Sequence, residues 1–533
     1  MSASPEAPEA PGLLRSSAIV GAMTMLSRVL GLLRDVVLAA VLGASANADA
    51  FFVAFKIPNF LRRLFAEGAF AQAFVPVLSE ERERGGQAAV QALVSRVAGV
   101  LGGTLLLLTA LTVAAAPLVA GLFAPGFLDQ PAKFALTADL IRITFPYLLL
   151  ISMTGLCGAV LNSYGRFAVP AGTPVLLNLS LIGAAILAAP AFAEPAFALA
   201  WGVLFAGSVQ LLFQLPFLYR IDLLSRPRWD TRHSGVRRIL ALMVPALFGV
   251  SVSQVNLLLD TVLASFLPDG SVSWLYYSDR LAELPLGVFA IALATVILPS
   301  LSADRAAARD RLFQRTLDWA VRMVLLIAVP ATMALLVLAE PILITLFQYG
   351  ELTPRDVTMA AHSLRAYSLG LCAFMLIKVL APGYYARQDM VTPVRIGIRA
   401  MVANMLLNLV FVLPLYRLYD LGHVGLALAT SVAAYLNAGL LWRGLRRERI
   451  YRFAPLWRAH LLRLAAATAV MLAVLLWLRA PVDDWLGRGW PWRSAQLALL
   501  VAAGGGAYLL TLVLAGMRPG DLRSPPGRPP AAP

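Results

Sequence analysis

The chain has 533 residues, of which 59% are hydrophobic and only 14% charged, and its mean hydropathy is +0.76. Soluble domains carry about 25% charged residues, so the composition excludes an ordinary soluble domain and indicates a polytopic membrane protein. The net charge of +15 comes mainly from arginines between apolar runs. It indicates basic cytoplasmic loops rather than the aromatic-interleaved basic platform of a nucleic-acid-binding protein.

Segments of about 20 mainly apolar residues, the length that spans a bilayer, recur about fourteen times along the chain. They lie near 17–41, 50–79, 90–118, 134–162, 171–190, 197–219, 237–266, 273–301, 312–338, 359–385, 394–415, 421–442, 459–478 and 494–516. A shorter apolar run at 342–347 is predicted to be a re-entrant or interfacial piece. The sequence therefore predicts an all-α fold of about fourteen transmembrane helices.

Arginine is concentrated in alternate loops. Six arginines lie between spans six and seven, four follow span eight and five follow span twelve, whereas the loops after span one and near residues 194 and 268 have no Arg or Lys. Positive residues stay in the cytoplasm, so we expect both termini there. The residues at 1–16 lack the order of a cleaved signal peptide, and both 1–16 and 518–533 are predicted to be disordered tails.

One sequence pattern occurs twice, about 225 residues apart. Ser27-Arg28-Val29 and Ser253-Gln254-Val255 each open a long helix that ends in a polar turn, and the aromatic pairs Phe51-Phe52 and Tyr276-Tyr277 follow. The offset is six spans, so the copies share one orientation, as in parallel transporter repeats. We expect six-helix lobes at 17–220 and 237–443, a basic linker at 221–236, and two extra helices within 444–517.

Charge is concentrated in the first copy of this pattern. Ionisable side chains at hydrocarbon depth are costly, so they line a cavity or pair with one another. Within the first two predicted spans, five cations against two carboxylates leave a positive excess, which predicts an anion-binding site. The residues are Arg28, Arg34, Lys56, Arg62 and Arg63, with Asp35 and Glu67.

Arg28 lies about 16 Å into the first span at 1.5 Å per residue, near the bilayer centre. Ser27, Gly31 and Arg34 follow i, i+4, i+7 spacing and share a helix face, which is predicted to be a cavity wall. The alternative is a structural ion pair of Arg28 or Arg34 with Asp35 or a carboxylate on another helix.

On the second span, Arg63 and Glu67 are spaced to pair with each other, which leaves Arg62 as the better ligand candidate. Pro58 lacks an amide hydrogen and is expected to kink or break this helix.

In the second copy, Arg280 lies close to Asp279 and Glu283. Its neutralisation within its own helix and its binding of an anion both remain open from the residues alone.

A second polar set offers oxygen ligands for a monovalent cation or a proton: Asp260, Asn404, Asn408 and Thr430. Hydrogen bonding between helices is the favoured alternative for these residues. The isolated Cys157 and Cys372 and the four histidines predict neither a disulfide framework nor a metal site.

Six motifs resemble the MurJ (also called MviN) family, the lipid II flippases of bacterial peptidoglycan synthesis. They are MTMLSRVLGLLRD, DAFFVAFKIPNFLRRLFAEGAFAQAFVPVLSE, GVSVSQ, SVSWLYYSDRL, LFQYG and KVLAPGYYARQD. The likeness runs from about Ser17 to the fourteenth span. It implies membership of the multidrug/oligosaccharidyl-lipid/polysaccharide exporter superfamily and alternating access around a cationic cavity.

The resemblance also implies site residues, a substrate and a location. The family's functional residues match Ser27, Arg28, Gly31, Arg34, Asp49, Arg62, Glu67 and Arg280. We expect four arginines to hold the lipid head group: Arg28, Arg34, Arg62 and Arg280. The expected supporting residues are Ser27, Gly31, Asp49, Arg63, Glu67 and Asp279. The last two helices are implied to house the undecaprenyl tail of lipid II. The chain is then a monomeric flippase of the bacterial inner membrane without catalytic residues or cofactor, coupled to a cation or the membrane potential and associated with cell-wall synthesis proteins.

Other functions fit the sequence less well. A membrane enzyme acting on polyprenyl lipids needs an acidic or histidine cluster to bind metal or activate water, and no loop has an Asp-rich motif. A cation-antiporting drug exporter favours an acidic cavity, whereas these charges are basic. An O-antigen-type polysaccharide flippase is the alternative within the superfamily, and buried charge argues against a scaffold without transport activity.

Overall fold

The computed structural model describes residues 11–63, 70–451 and 457–518. Every regular element in this part of the chain is helical, which confirms the all-α prediction. The α-helices are α1 (Pro11–Leu42), α2 (Ala46–Arg62), α3 (Phe70–Ala114), α4 (Ala116–Phe123), α5 (Pro131–Thr144), α6 (Tyr147–Ser163), α7 (Ala168–Gly183), α8 (Pro195–Tyr219), α9 (Ser234–Ala264), α10 (Ser271–Pro285), α11 (Ile291–Ala306), α12 (Asp310–Phe347), α13 (Pro354–Tyr385), α14 (Val391–Tyr419), α15 (Gly422–Arg447), α16 (Trp457–Leu478), α17 (Val482–Gly487) and α18 (Trp490–Leu514).

Ten helical segments of the described chain are long and apolar enough to cross a membrane. They are Phe70–Ala114, Pro131–Ser163, Ala168–Ala191, Pro195–Tyr219, Asp310–Phe347, Pro354–Tyr385, Val391–Tyr419, Gly422–Arg447, Trp457–Leu478 and Trp490–Leu514. The other predicted spans correspond to α1, to α2 with the start of α3, to α9, and to α10 with α11. The fourteen predicted spans are therefore consistent with the helices observed.

The chain forms two compact units, Met1–Phe266 and Leu267–Pro533. In the first, a core of α3, α6, α8 and α9 residues surrounds Phe74, Leu93 and Val160. In the second, α12, α13 and α15 pack around Leu317 and Tyr384. The units divide later than the lobe boundary predicted at 220–237, and that lobe division stays a prediction.

Several local predictions need correction. Helix α1 begins at Pro11, so residues 11–16 of the predicted tail are helical. The run at 342–347 is not re-entrant, because α12 continues through Pro330 and Pro341 to Phe347. Helix α2 continues through Pro58 to Arg62, so Pro58 does not break the helix, and a kink there stays a prediction. Residues 1–10 and 519–533, predicted to be disordered, lie outside the described residues.

The predicted linker at 221–236 is only partly a connection. Helix α9 begins at Ser234, and the preceding residues 221–233 form an irregular segment that is hydrogen-bonded to α3. Helix α3 bends at Gly86, whose φ of 64° is not helical. This bend separates the end of the second predicted span from the start of the third.

Candidate functional site

The face of α1 that carries Arg34 packs against α7. Arg34 is 8% exposed, and its Nε and Nη2 atoms donate to Oδ1 of Asp35 at 3.0 and 2.7 Å. Its Nη1 donates to Oδ1 of Asn178 at 3.1 Å, and Asn178 Nδ2 donates to the Ser27 carbonyl oxygen at 3.0 Å. The face of Ser27, Gly31 and Arg34 is thus an interface with α7 rather than the cavity wall that the sequence predicts.

The sequence alone did not indicate Asn178 as a site residue. Its one amide group links the α1 backbone to the Arg34 guanidinium and is itself buried. A lone Asn in an apolar span is the only signal that could have indicated it, since polar residues in membrane helices commonly bond to neighbouring helices.

Arg28 differs from Arg34 in its surroundings. Six residues separate them, which is about 120° around the helix at 3.6 residues per turn. Arg28 is half-buried, and within the described residues its side chain has neither a hydrogen bond nor an ion pair. An uncompensated guanidinium halfway along a membrane helix is the arrangement expected of a ligand-binding cation.

The start of α2 is fixed by a cap and a buried ion pair. Ser45 accepts a hydrogen bond from the amide of Ala48 at 3.2 Å, which begins the helix and places Asp49 in its first turn. Asp49 Oδ2 and Lys133 Nζ are 3.0 Å apart, and their side chains are 1% and 3% exposed. Lys133 also lies 4.0 Å from the ring centre of Phe127. Asp49 therefore holds α2 against α5, and sequence reasoning did not identify Lys133.

Two further charged candidates of the first unit lie at the opposite end of α2. Arg62 is the last residue of the helix and Arg63 is its C-cap, and both are half-buried. Glu67, the predicted partner of Arg63, lies outside the described residues. The pairing that would free Arg62 for a ligand stays a prediction.

In the second unit, hydrogen bonds hold one face of α10 against α13. Thr353 and Asp356 form a capping box that starts α13, and Asp356 Oδ1 also accepts from Trp274 Nε1 at 2.9 Å. Ser278 Oγ donates to the carbonyl oxygen of Ala360 at 2.7 Å. These bonds fix the rotation of α10 about its axis.

Arg280 lies on the opposite face of α10 from these contacts. Its Nη1 is 3.3 Å from Oε2 of Glu283, and its guanidinium carbon lies 5.0 Å from the ring centre of Tyr276. The Arg280 side chain is 33% exposed and that of Glu283 48%. An ion pair this exposed contributes little to stability, and a ligand can displace it. Arg280 therefore contacts Glu283 and is still accessible. Asp279 is adjacent in sequence, and a direct role for it stays a prediction.

The second polar set is divided between the two units. Asp260 belongs to the first unit, and Asn404, Asn408 and Thr430 belong to the second. Asn404 and Asn408 are each 1% exposed, whereas Asp260 and Thr430 are half-buried. The role of this set in ion coupling stays a prediction. Among the described residues, no cluster of three or more His, Cys, Asp or Glu side chains could hold a metal ion.

The last two long helices are attached to α12 at several levels. Near the start of α16, Asp318 accepts from Trp457 Nε1 at 2.7 Å and Tyr451 Oη at 3.1 Å, and pairs with Arg322. Tyr508 of α18 donates to the Leu326 carbonyl at 2.6 Å. Arg479 follows α16 and lies 3.1 Å from Glu340. The helices predicted to hold the lipid tail are thus bound to the second unit along their length.

Comparison with known proteins gives a consistent family assignment. The family model described as lipid II flippase MurJ matches residues 38–493. A probable lipid II flippase MurJ of Vibrio cholerae is 51% identical over 519 residues, covering 96% of this chain and 98% of that protein. The lipid II flippase MurJ of Burkholderia cenocepacia is 44% identical over 479 residues, covering 89% of this chain and 92% of the relative.

Solved structures agree with this assignment. A lipid II flippase MurJ in an inward closed conformation matches with a TM-score of 0.77 and 27% identity, covering 93% of this chain and 98% of its own. An inward-facing multidrug resistance MATE family transporter of the MOP superfamily matches with a TM-score of 0.64 at 13% identity, covering 81% of this chain and 98% of its own. The second likeness concerns the fold alone.

Proposed function

Because the chain belongs to the lipid II flippase MurJ family, a family of membrane transporters and not of enzymes, we propose that it translocates lipid II from the cytoplasmic to the periplasmic leaflet. The substrate is undecaprenyl diphosphate linked to a sugar and pentapeptide. Its head group is polyanionic and cannot cross hydrocarbon unaided. A membrane path for it requires cations that hold the diphosphate away from lipid.

The observation that carries this proposal is the state of Arg28. Its half-buried guanidinium lies in a membrane helix without a countercharge among the described residues. Guanidinium groups bind phosphate oxygens in bidentate geometry and stay charged at physiological pH. Arg28 is therefore the first candidate for contact with the diphosphate.

The other cations have different proposed roles. Arg62 and Arg280 contribute further positive charge, and Arg280 exchanges its exposed contact with Glu283 for the substrate. Arg34 is proposed as a positioning residue instead of the head-group ligand that the sequence predicts, because its guanidinium is already occupied by Asp35 and Asn178. Ser27 and Gly31 belong to the same α1–α7 interface, and Asp49 holds α2 through Lys133.

Transport is proposed to proceed by alternating access. In this proposal a cationic cavity opens first to the cytoplasm and then to the periplasm, while the undecaprenyl tail stays in lipid beside α16 and α18. The protein acts as a monomer in the bacterial inner membrane, with both termini cytoplasmic. Cell-wall synthesis proteins are its proposed partners.

The driving force is proposed to be the membrane potential or a coupled cation. Moving one charge across the membrane is worth about 2.3 kcal/mol per 100 mV. Asp260, Asn404, Asn408 and Thr430 are the candidate ligands of a coupling ion. No cofactor is required by this scheme.

Cells depleted of their own lipid II flippase test the proposal. Expression of this chain is expected to restore labelling of lipid II by a probe confined to the periplasm, while the total lipid II pool measured after extraction shows that synthesis continues. Correctly inserted protein that leaves lipid II inaccessible to the probe would refute the flippase function.

A further inference from the structure

The segment at 221–233, which we call the strap, lies along α3 instead of hanging free between α8 and α9. Gln87 and Gln91 of α3 donate through Nε2 to the carbonyl oxygens of Ile221 and Asp222 at 2.8 and 2.6 Å. Further along α3, the amide of Arg228 donates to the Ser95 carbonyl at 2.9 Å. Successive bonds to one helix fix the backbone of the strap.

Two glycines of α3 form a notch for the tip of the strap. A Cβ atom on Gly99 would lie 2.2 Å from the Arg228 carbonyl oxygen, and one on Gly103 would lie 2.5 Å from the Trp229 ring. Both distances are shorter than any real contact allows, so the strap can approach α3 this closely only because both residues are glycine. This use explains a Gly-x-x-x-Gly spacing that otherwise indicates packing between two helices.

The strap is also held where it returns to α9. Arg96 Nε lies 3.0 Å from Oδ2 of Asp230, and His233 caps α9 by accepting from the Gly235 amide at 3.2 Å. The pKa of Asp230 is lowered by the hydrogen bond from the Arg232 amide and, to a smaller extent, by Arg96. Asp230 is therefore ionised and paired with Arg96. Its negative charge does not neutralise the neighbouring arginines of the strap.

The outer surface of the strap is cationic and aromatic. Arg226, Arg228 and Arg232 are exposed, and their side chains make no hydrogen bond or ion pair within the described parts of the chain. Trp229 is 63% exposed although it is seated on Gly103, and Leu224 is 47% exposed. Charge and apolar surface thus lie side by side on a rigid support.

The position of the strap along α3 is that of a membrane interface. The α3 residues it contacts run from the polar stretch at Gln87 and Gln91 to Gly103, roughly 24 Å along the axis at 1.5 Å per residue. Gly103 lies in the apolar part of a helix long enough to span the membrane, whereas Arg96 is still polar. Trp229 therefore reaches the level where hydrocarbon begins, with the arginines towards the head groups.

We infer that the strap is a binding site for anionic phospholipid of the leaflet on the side of the termini, which is cytoplasmic in the predicted orientation. Arg226, Arg228 and Arg232 bind the lipid phosphate and charged head group, and Trp229 lies among the first acyl carbons. Juxtamembrane basic residues attract anionic lipids, and here the notch fixes their arrangement in advance. The inference does not depend on which substrate the protein transports.

Photocross-linking tests the site directly. The full-length protein is reconstituted in phosphatidylcholine liposomes that contain a small fraction of a photoreactive lipid. This probe lipid is either phosphatidylglycerol or phosphatidylcholine, and both carry the same photoreactive group on the first acyl carbons. We expect phosphatidylglycerol to label the strap about tenfold more than phosphatidylcholine, as three basic contacts would allow. Labelling that is equal for the two lipids overturns the proposal.

A triple variant and a matched control separate this site from general positive charge. The variant Arg226→Gln/Arg228→Gln/Arg232→Gln is expected to lose the preference for phosphatidylglycerol. The control Arg309→Gln/Arg311→Gln/Arg315→Gln removes three exposed arginines from another loop and is expected to keep it. Equal losses in both variants would show a diffuse electrostatic effect and contradict a built site.

A second pair of variants tests the notch without changing any charge. Gly99→Ala displaces the strap backbone, whereas Gly102→Ala introduces a Cβ that meets Met153 at an ordinary 3.7 Å. We expect strap labelling to fall in Gly99→Ala and to persist in Gly102→Ala. Persistence in both overturns the role of the notch; if Gly99→Ala does not yield monodisperse protein, the triple variant decides the proposal.

Discussion

The buried ion pair between Asp49 and Lys133 predicts a large and specific loss of stability. Their charged atoms are 3.0 Å apart and the side chains are 1% and 3% exposed, so solvent screens the pair very little. Removal of one partner from such a pair costs about 3–5 kcal/mol, because the buried charge that remains loses the counterion it contacts here. Lys133→Met keeps most of the side-chain volume and removes only the charge.

The measurement is thermal unfolding of the purified protein in detergent, followed by size-exclusion chromatography. Lys378→Met is the matched control, because Lys378 is an exposed lysine of α13 and its replacement is expected to cost within about 0.5 kcal/mol. The double variant Asp49→Asn/Lys133→Met is expected to recover part of the loss, giving a coupling energy of about 2–3 kcal/mol. If Lys133→Met melted at the same temperature as Lys378→Met, the ion pair would not hold α2 against α5.

Three further predictions follow from other contacts. Asn178→Leu removes one hydrogen bond to a charged group and one to a carbonyl, and is expected to destabilise the protein by about 2–4 kcal/mol; an unchanged melting temperature would contradict the α1–α7 bridge. Asp318→Asn leaves Arg322 without its countercharge and is expected to speed limited proteolysis between α15 and α16; cleavage at the wild-type rate would refute this anchoring role. Asp260→Asn is expected to change the ion or voltage dependence of transport in proteoliposomes, and unaltered dependence would exclude Asp260 from coupling.

Much of the fold could be predicted from the sequence because bilayer thickness sets the length of each apolar segment. The predictions failed where packing between helices overrides a rule based on local sequence. Pro330 and Pro341 lie within α12 without ending it, since neighbouring helices can satisfy the backbone groups that proline leaves free. The run at 342–347 therefore continues a helix that hydropathy alone divides.

The candidate site was predictable in its residue types but not in its pairings. Helical spacing correctly placed Ser27, Gly31 and Arg34 on one face, yet it could not show that Asn178, far along the chain, covers that face. Lys133 was missed for the same reason, because its partner Asp49 lies on another helix. Residue spacing predicts only which side chains are neighbours on one helix. Contacts between helices can be identified only from the three-dimensional structure.

The central claim is that the guanidinium of Arg28 binds the lipid diphosphate, and transport by an Arg28 variant tests it most directly. In cells depleted of their own flippase, Arg28→Ala is compared with Arg166→Ala, which replaces an exposed arginine in the turn between α6 and α7. Loss of a charge-assisted contact worth about 1.5–3 kcal/mol predicts at least about tenfold less lipid II at the periplasmic surface for Arg28→Ala at equal protein abundance. Arg166→Ala is expected to transport normally, and full transport by Arg28→Ala would contradict the account.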